Sequence, residues 1–403
     1  MSKISGEESG ARPSPLSGIK ILDLSRLLPG PFASLVLADL GAQVDKIEDP
    51  GGGDYLRHMP PAVAGEGGTQ SGLFLAINRN KRSAVLDLKK PEGRDALLRL
   101  VESYDVVLEQ FRPGVMDRLG LPHALLRERN PRLVVCALTG YGQTGPLRLR
   151  AGHDINYLAR SGVLGFQGPP GAPPAVMGFQ LADIGGALWS VIGILAALSA
   201  RASTGQGSVV DVSMLEASMG FAASSFGQML AGLMPQRGNE TLSGAVAPYG
   251  TYETKDGRYV TLGALEPKFL MAFAAGVQVE IDLGALMPGP HQEGLKAKFR
   301  EIFLSRTLAE WIDFGSRVDC CLEPVLLPEE LASDPQLAAR RVFFELPSPW
   351  GNLLQFRLPV TAPDAQHRPP PHQGEHTRAV LREGGFSDAE IEALHAKGVA
   401  VTP

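Results

Sequence analysis

The 403-residue chain reads as an α/β protein: a mostly parallel sheet covered by helices, with a smaller domain after it. Three observations predict this. Apolar, strand-like runs alternate with segments of helical period from residue 18 to about residue 140. Glycine and proline punctuate the C-terminal ends of those runs, which is where ligands sit in parallel sheets. Beyond residue 235 the pattern changes to a hairpin followed by helices, which places a small α+β domain at roughly 235–330.

The elements follow in order. Residues 18–24 (G-I-K-I-L-D-L) form a buried strand, Leu28-Pro-Gly-Pro31 breaks it, 32–40 is helical and 42–47 is the next strand. Residues 51–72 make a glycine-rich loop. Asn78-Arg-Asn-Lys-Arg82 then leads into a strand at 83–88. Three cations in four residues, beside a glycine-rich loop and at a strand entrance, suit a phosphate-bearing ligand. Residues 91–103 are a helix, 105–109 a strand, and Phe111-Arg-Pro-Gly114 a loop that carries Arg112. A short helix at 121–129 and a strand at 133–138 run into Thr139-Gly-Tyr-Gly142. Later come a long apolar helix at 184–202, a strand at 208–212 and a methionine-rich helix at 214–233. A linker at 236–244 precedes a hairpin about Asp256-Gly257, with strands at 249–253 and 258–262. Helices near 269–275, 295–304, 308–316 and 328–334, strands within 343–361 and a proline-rich linker at 362–373 complete the body. The last helix, 387–397, opens with a capping box of Ser387 and Glu390.

Composition excludes several classes. Hydrophobic content of 44%, charged content of 20% and a net charge of −5 describe a globular chain without the basic surface that nucleic acid needs. Cys136, Cys320 and Cys321 offer neither a disulfide framework nor metal-ligand spacing, so a reducing, cytoplasmic setting is expected and no metal site. The first fifteen residues are polar, lack an apolar h-region and read as a loose leader. The closing Val-Thr-Pro matches no address or lipidation motif. The apolar run at 187–200 is too short to span a bilayer, so a buried helix is expected rather than a membrane contact. Neither G-x-G-x-x-G nor a Walker motif is present, and no G-x-S-x-G marks a serine hydrolase.

Chemistry concentrates in residues 150–186. His153 and Asp154 stand at one expected helix start and Asp183 at another, with a Gly/Pro-rich loop from 165 to 178 between them. Each aspartate fits an N-cap, and a helix N-terminus also stabilises a carboxylate. A histidine and a carboxylate across a pocket serve two reaction classes. One is proton removal and return at a carbon beside a carbonyl; the other is carboxylate attack on an activated acyl group. The residues alone leave both open.

The chain from residue 18 onward resembles the family III CoA-transferases (CaiB/BaiF-type), the group that includes the α-methylacyl-CoA racemases. The resemblance runs through G-I-K-I-L-D-L-S and L-A-D-L-G-A-Q-V-D-K-I-E-D-P within 18–50, N-R-N-K-R-S-A-V-L-D-L-K at 78–89 and F-R-P-G-V-M-D-R-L-G at 111–120. It continues through T-G-Y-G-Q-T-G-P at 139–146 and L-A-D-I-G-G at 181–186, and closes with G-E-H-T and G-F-S-D-A-E-I. The racemase branch is marked by G-H-D-I-N-Y at 152–157, by G-A-L-E-P at 263–267 and by D-C-C-L-E-P-V at 319–325.

The resemblance implies a 2-methylacyl-CoA racemase with three catalytic residues: His153 and Asp183 on opposite faces of the α-carbon, and Glu266 tuning His153. Backbone N–H groups at the Asp183 helix start would hold the enolate oxygen. It implies no cofactor, CoA being part of the substrate. Lys46, Arg79, Lys81, Arg82 and Arg112 would bind the CoA phosphates, Gly140, Tyr141, Gly142 and Tyr157 would line the pantetheine path, and Met177 and Phe179 would shape the acyl pocket. The fold it implies has a leader at 1–17 and a large Rossmann-like parallel α/β domain. That domain comprises 18–234 and a returning C-terminal part at 336–403. A small α+β domain lies at 235–335, and two chains interlock as a homodimer in which Glu266 comes from the partner. The transferase alternative would use Asp183 as the nucleophile.

Overall fold

A computed structural model describes residues 14–401. Most of the expected leader, and the last two residues of Val-Thr-Pro, lie outside the described residues. The leader's end is anchored: Leu16 is buried and its N–H donates to Leu40 O at 2.9 Å.

Two compact units divide the chain. The first comprises residues up to Arg160, Gln180–Gly220 and the chain from Gln336 on. Its centre is a parallel sheet of β1 (Lys20–Asp23), β2 (Gln43–Glu48), β5 (Lys81–Val85), β6 (Val106–Glu109), β7 (Val134–Thr139) and β8 (Val209–Ser213), in the order β5-β2-β1-β6-β7-β8. All five pairings are parallel, as the β-α alternation requires. The central strands β1, β6 and β7 are mainly apolar and buried, whereas β2 and β5 carry buried charged residues. One core joins Leu22, Ala84, Val107 and Val135 to Leu97 and Leu100, and to Val380, Leu381 and Ile391 of the C-terminal segment. The strand order reverses between β1 and β6, which opens a crevice at their carboxyl ends.

The glycine-rich stretch after β2 is more ordered than its composition suggests. It holds a hairpin of β3 (Ala62–Gly65) and β4 (Gly68–Ser71) and a short helix, Gly72–Ile77. The apolar helix Leu181–Thr204 is longer than expected, 24 residues, and by length and composition alone could cross a membrane. It lies instead on the sheet, along a face of small residues. A Cβ on Gly186 would stand 2.6 Å from Met214 Cγ, and one on Gly193 2.5 Å from Val210 Cγ1. Near its C-terminal end Arg201 pairs with Asp105 at 2.8 Å. The methionine-rich helix is broken into Met214–Met219 and Ala223–Leu230 by a 3-10 turn, Gly220–Ala222.

The second unit comprises Ser161–Phe179 and Phe221–Pro335. It therefore begins at Phe221 rather than 235 and takes in the Gly/Pro-rich loop. The reason is local packing: Arg237 Nη1 donates to Gly165 O at 3.5 Å, and Gly238 lies against Gly168 and Pro170. Its sheet is antiparallel, β11-β10-β9, from β9 (Tyr249–Glu253), β10 (Tyr259–Gly263) and β11 (Leu322–Pro324). Its core stacks Tyr252, Phe273, Phe299, Phe303, Trp311 and Phe314. A last hairpin, β12 (Phe343–Ser348) and β13 (Gly351–Phe356), belongs to the first unit.

Candidate active site

The helix Asp154–Arg160 starts one residue after His153. His153 acts as its cap through a reciprocal pair: His153 N–H donates to Asn156 Oδ1 at 3.0 Å and Asn156 N–H donates to His153 O at 2.8 Å. Asp154 is therefore the first helical residue, not the cap, and its carboxylate is free to work elsewhere. It reaches the neighbouring helix, Leu181–Thr204, where Oδ1 accepts from Ala182 N at 2.6 Å and Asp183 N at 3.1 Å. Asp183 is likewise no cap; it is the third residue of that helix, and Gln180 is the N-cap. The true cap of the Asp183 helix comes from 28 and 29 residues away in sequence.

That geometry brings His153 and Asp183 to adjoining helix starts, joined by Asp154. His153 is exposed and Asp183 partly so. Burial pushes the Asp183 carboxyl up to about 7, and the neighbouring Asp154 carboxylate adds to the rise. A carboxyl poised there is suited to exchanging protons near neutral pH. The expected oxyanion donors change, however. The Ala182 and Asp183 N–H groups are taken by Asp154, and Ile184 N–H by Gln180 O at 3.0 Å. The N–H groups of Asp154 and Ile155, at the start of the other helix, make no hydrogen bond among the described residues.

Glu266 lies in the second unit, exposed, as N-cap of the helix Pro267–Gly276. Its carbonyl accepts from Phe269 and Leu270, and its side chain makes no cap bond. Met177 is partly buried and Phe179 exposed, both in the second unit. The turn after β7 is held by Gly142 N–H donating to Thr139 Oγ1 at 2.9 Å, with Gly142 at φ 84°. Tyr157 packs into that turn, its ring edge-on to Tyr141 at 5.2 Å.

The expected phosphate cluster separates into interior and surface cations. Arg79 is fully buried, paired with Asp39 at 2.5 Å and donating to Gln355 at 2.8 Å. Lys81 is buried against Pro31 O and Asn78 Oδ1, both at 2.8 Å, and burial drops its ammonium to about 7. Lys46 is fully buried between Asp54 at 2.9 Å and Ser25 O at 2.7 Å; burial lowers its pKa, but Asp23, Asp54 and Glu48 outweigh that and raise it. Arg82 is committed to Asp45 and Glu383. Buried cations are tolerated only when paired in this way, and these four hold the fold together instead of facing a ligand. Arg112 is the exception, exposed and without an ion pair among the described residues.

Arg112 lines a small cavity with Glu109, His123 and Gln143, whereas the cations at the crevice on the sheet's carboxyl edge were not among those expected. A crevice of about 320 Å³ lies at the carboxyl ends of β5, β2, β1 and β6. Arg26 follows β1, donates to Tyr55 Oη at 2.9 Å and stacks over the Tyr55 and Phe111 rings at 4.7 and 5.7 Å. Lys89 lines the same crevice and is exposed. Its signal was present, since Lys89 closes the segment at 78–89, but the cations at the other end of that segment drew the assignment. A larger cavity, about 680 Å³, lies in the second unit, and no expected catalytic residue lines it. Among the described residues no group of three or more His, Cys, Asp or Glu could hold a metal ion.

Comparison with known proteins adds an independent line. The family model for CoA-transferase family III matches residues 16–377. The chain is 39% identical over 388 residues to the mouse (Mus musculus) alpha-methylacyl-CoA racemase, covering 94% of this chain and 96% of that protein. It is 36% identical over 400 residues to an acyl-CoA transferase of Fusarium pseudograminearum, covering 94% and 87%. The crystal structure of a CAIB/BAIF family protein from Brucella suis superposes with TM-score 0.80 at 30% identity, over 93% of this chain and 100% of that one.

Proposed function

For a chain that belongs to CoA-transferase family III, we propose a cofactor-independent racemase that interconverts (R)- and (S)-2-methylacyl-CoA thioesters. The observation that carries this reading is the Asp183 carboxyl, raised to about 7 and tied through Asp154 to the turn bearing His153. One of the pair removes the α-proton, and the other returns a proton to the opposite face. Each serves as base for one enantiomer, and in the proposed homodimer Glu266 of the partner subunit supports His153. The free N–H groups of Asp154 and Ile155 suit the enolate oxygen, which needs donors not already spent. The nucleotide end of CoA enters the crevice at the strand-order reversal, with Arg26, Tyr55 and Phe111 against the base and Lys89 near the phosphates.

The 39% identity to a racemase supports this reading. Transfer of CoA between carboxylic acids is the second, favoured by the 36% identity to an acyl-CoA transferase. A nucleophilic Asp183 must be ionised, and a carboxyl at about 7 is half protonated at neutral pH, which favours acid/base work. A homodimer fits the exposed apolar side chains Leu188, Trp189 and Ile192 of the Asp183 helix and Leu230, Leu233 and Met234 of the second unit. A cytoplasmic setting in acyl-CoA and fatty acid metabolism fits the three free thiols. The deciding experiment follows α-proton exchange and inversion of both enantiomers in D₂O, with His153→Ala as the control that abolishes inversion. Hydroxylamine-trappable acyl-enzyme with no α-exchange would instead establish the transferase.

A further inference from the structure

We propose that Tyr157 is a positioning residue that clamps the peptide presenting His153; the inference rests on the racemase reading and deepens it. The His153 side chain is exposed, and no side-chain hydrogen bond is formed to its ring among the described residues. Its direction therefore depends on the backbone that carries it. The peptide between Gly152 and His153 is held at both ends. Its carbonyl, Gly152 O, accepts from Tyr157 Oη at 2.6 Å, and its N–H, on His153, donates to Asn156 Oδ1 at 3.0 Å. Two bonds on opposite edges of one planar unit fix its rotation, and with it the imidazole's starting direction.

The ring that supplies the hydroxyl is seated by space kept free around it. Tyr157 is 6% exposed. A Cβ on Gly140 would overlap the Tyr157 ring, and one on Gly152 would stand 2.7 Å from Tyr157 Cε1. Neither glycine has a positive φ, so room for the ring, not backbone freedom, is what those positions need glycine for. Tyr141 closes the remaining side, edge-on at 82°. The phenol stays a donor throughout the neutral range because burial, then Asp183, push its pKa up to about 12. Its single proton is spent on Gly152 O, so Tyr157 takes no part in proton transfer itself. The G-H-D-I-N-Y motif thus contains both arms of the clamp, Asn156 and Tyr157, as neighbours in the first turn of the helix Asp154–Arg160.

The test uses the full chain with each enantiomer of a 2-methylacyl-CoA in D₂O. Tyr157→Phe keeps the ring and its packing and removes only the bond to Gly152. Displacing a reacting group by about 1 Å costs on the order of 100-fold, so a loosened imidazole lowers inversion by about tenfold or more. Asp183 is untouched and still removes its proton, returning deuterium to the same face. The expected result is a ratio of exchange to inversion raised about tenfold for the enantiomer that Asp183 deprotonates. Asn156→Ala, which cuts the other arm on an exposed residue, raises the same ratio and decides the matter if Tyr157→Phe folds poorly. Exchange and inversion falling in parallel, or neither changing, overturns the clamp. Failure of the wild-type chain to invert either enantiomer overturns the racemase reading instead, so the two failures are distinguishable.

Discussion

Replacing Asp183 by Asn removes a carboxyl that the fold holds at a cost. Its pKa moves from 3.8 to about 7 on burial beside Asp154. At about 1.4 kcal/mol per pH unit, that displacement corresponds to about 4 kcal/mol at most. Asp183 is partly exposed, and solvent screening reduces the recoverable part to about 1–3 kcal/mol. The sign follows from proton counts. Below about 7 the folded protein keeps the Asp183 proton, whereas the unfolded chain keeps it only below 3.8. Between these values the folded state binds more protons, so wild-type stability falls as pH rises through the window and levels off above it. Asn carries no such penalty. Asp183→Asn should therefore match wild type near pH 4 and exceed it at pH 8. With an unfolding entropy of about 2.1 cal/mol/K per residue, the gap in Tm is about 1–4 °C. Thermal unfolding of both proteins at pH 4, 6 and 8 measures it, alongside loss of activity in the variant. A gap that does not grow with pH, or a variant less stable at pH 8, refutes the account of why this carboxyl is raised.

Three further outcomes are expected. Asp154→Asn keeps an acceptor for Ala182 and Asp183 N–H but removes the like charge, so the Asp183-controlled limb of the kcat/KM–pH profile moves to lower pH; a limb that stays put assigns it elsewhere. Arg79→Ala leaves Asp39 buried without its partner and costs about 3–5 kcal/mol in urea unfolding. Its folded fraction should keep the wild-type KM for acyl-CoA, and a raised KM with unchanged stability would return Arg79 to the ligand. Lys89→Ala raises that KM about tenfold, about 1.4 kcal/mol, with little change in kcat; an unchanged KM would empty the crevice of its assigned ligand.

The parallel sheet was legible because its central strands β1, β6 and β7 are written as mainly apolar runs and alternate with helical segments, although β2 and β5 carry buried charges. The hairpin at Asp256-Gly257 was equally plain. β11 was not, since Leu322–Pro324 is three residues long and is made a strand only by pairing with β10. His153 and Asp183 do lie at adjoining helix starts, but the capping differs from the expectation. Sequence shows that an aspartate stands near a helix start and not which helix its carboxylate reaches; Asp154 spans 28 residues to Ala182. The cation cluster failed for a related reason. Arg79, Lys81 and Arg82 look solvated in sequence, and their partners Asp39, Pro31 and Asp45 lie 40, 50 and 37 residues away. Pairing across the sheet decides which cations are interior. Arg26, unmarked in sequence, and Lys89, at the far end of the 78–89 segment, are left facing the crevice.

The central claim is that one of His153 and Asp183 removes the α-proton of an acyl-CoA and the other delivers a proton to the opposite face. It is tested most directly by incubating each enantiomer of a 2-methylacyl-CoA with the enzyme in D₂O and following both the α-position and its configuration. The account predicts deuterium incorporation with inversion from either enantiomer, converging on one mixture, with inversion abolished in His153→Ala. Retention of the α-proton in both enantiomers, while CoA passes to an added carboxylic acid, would contradict it.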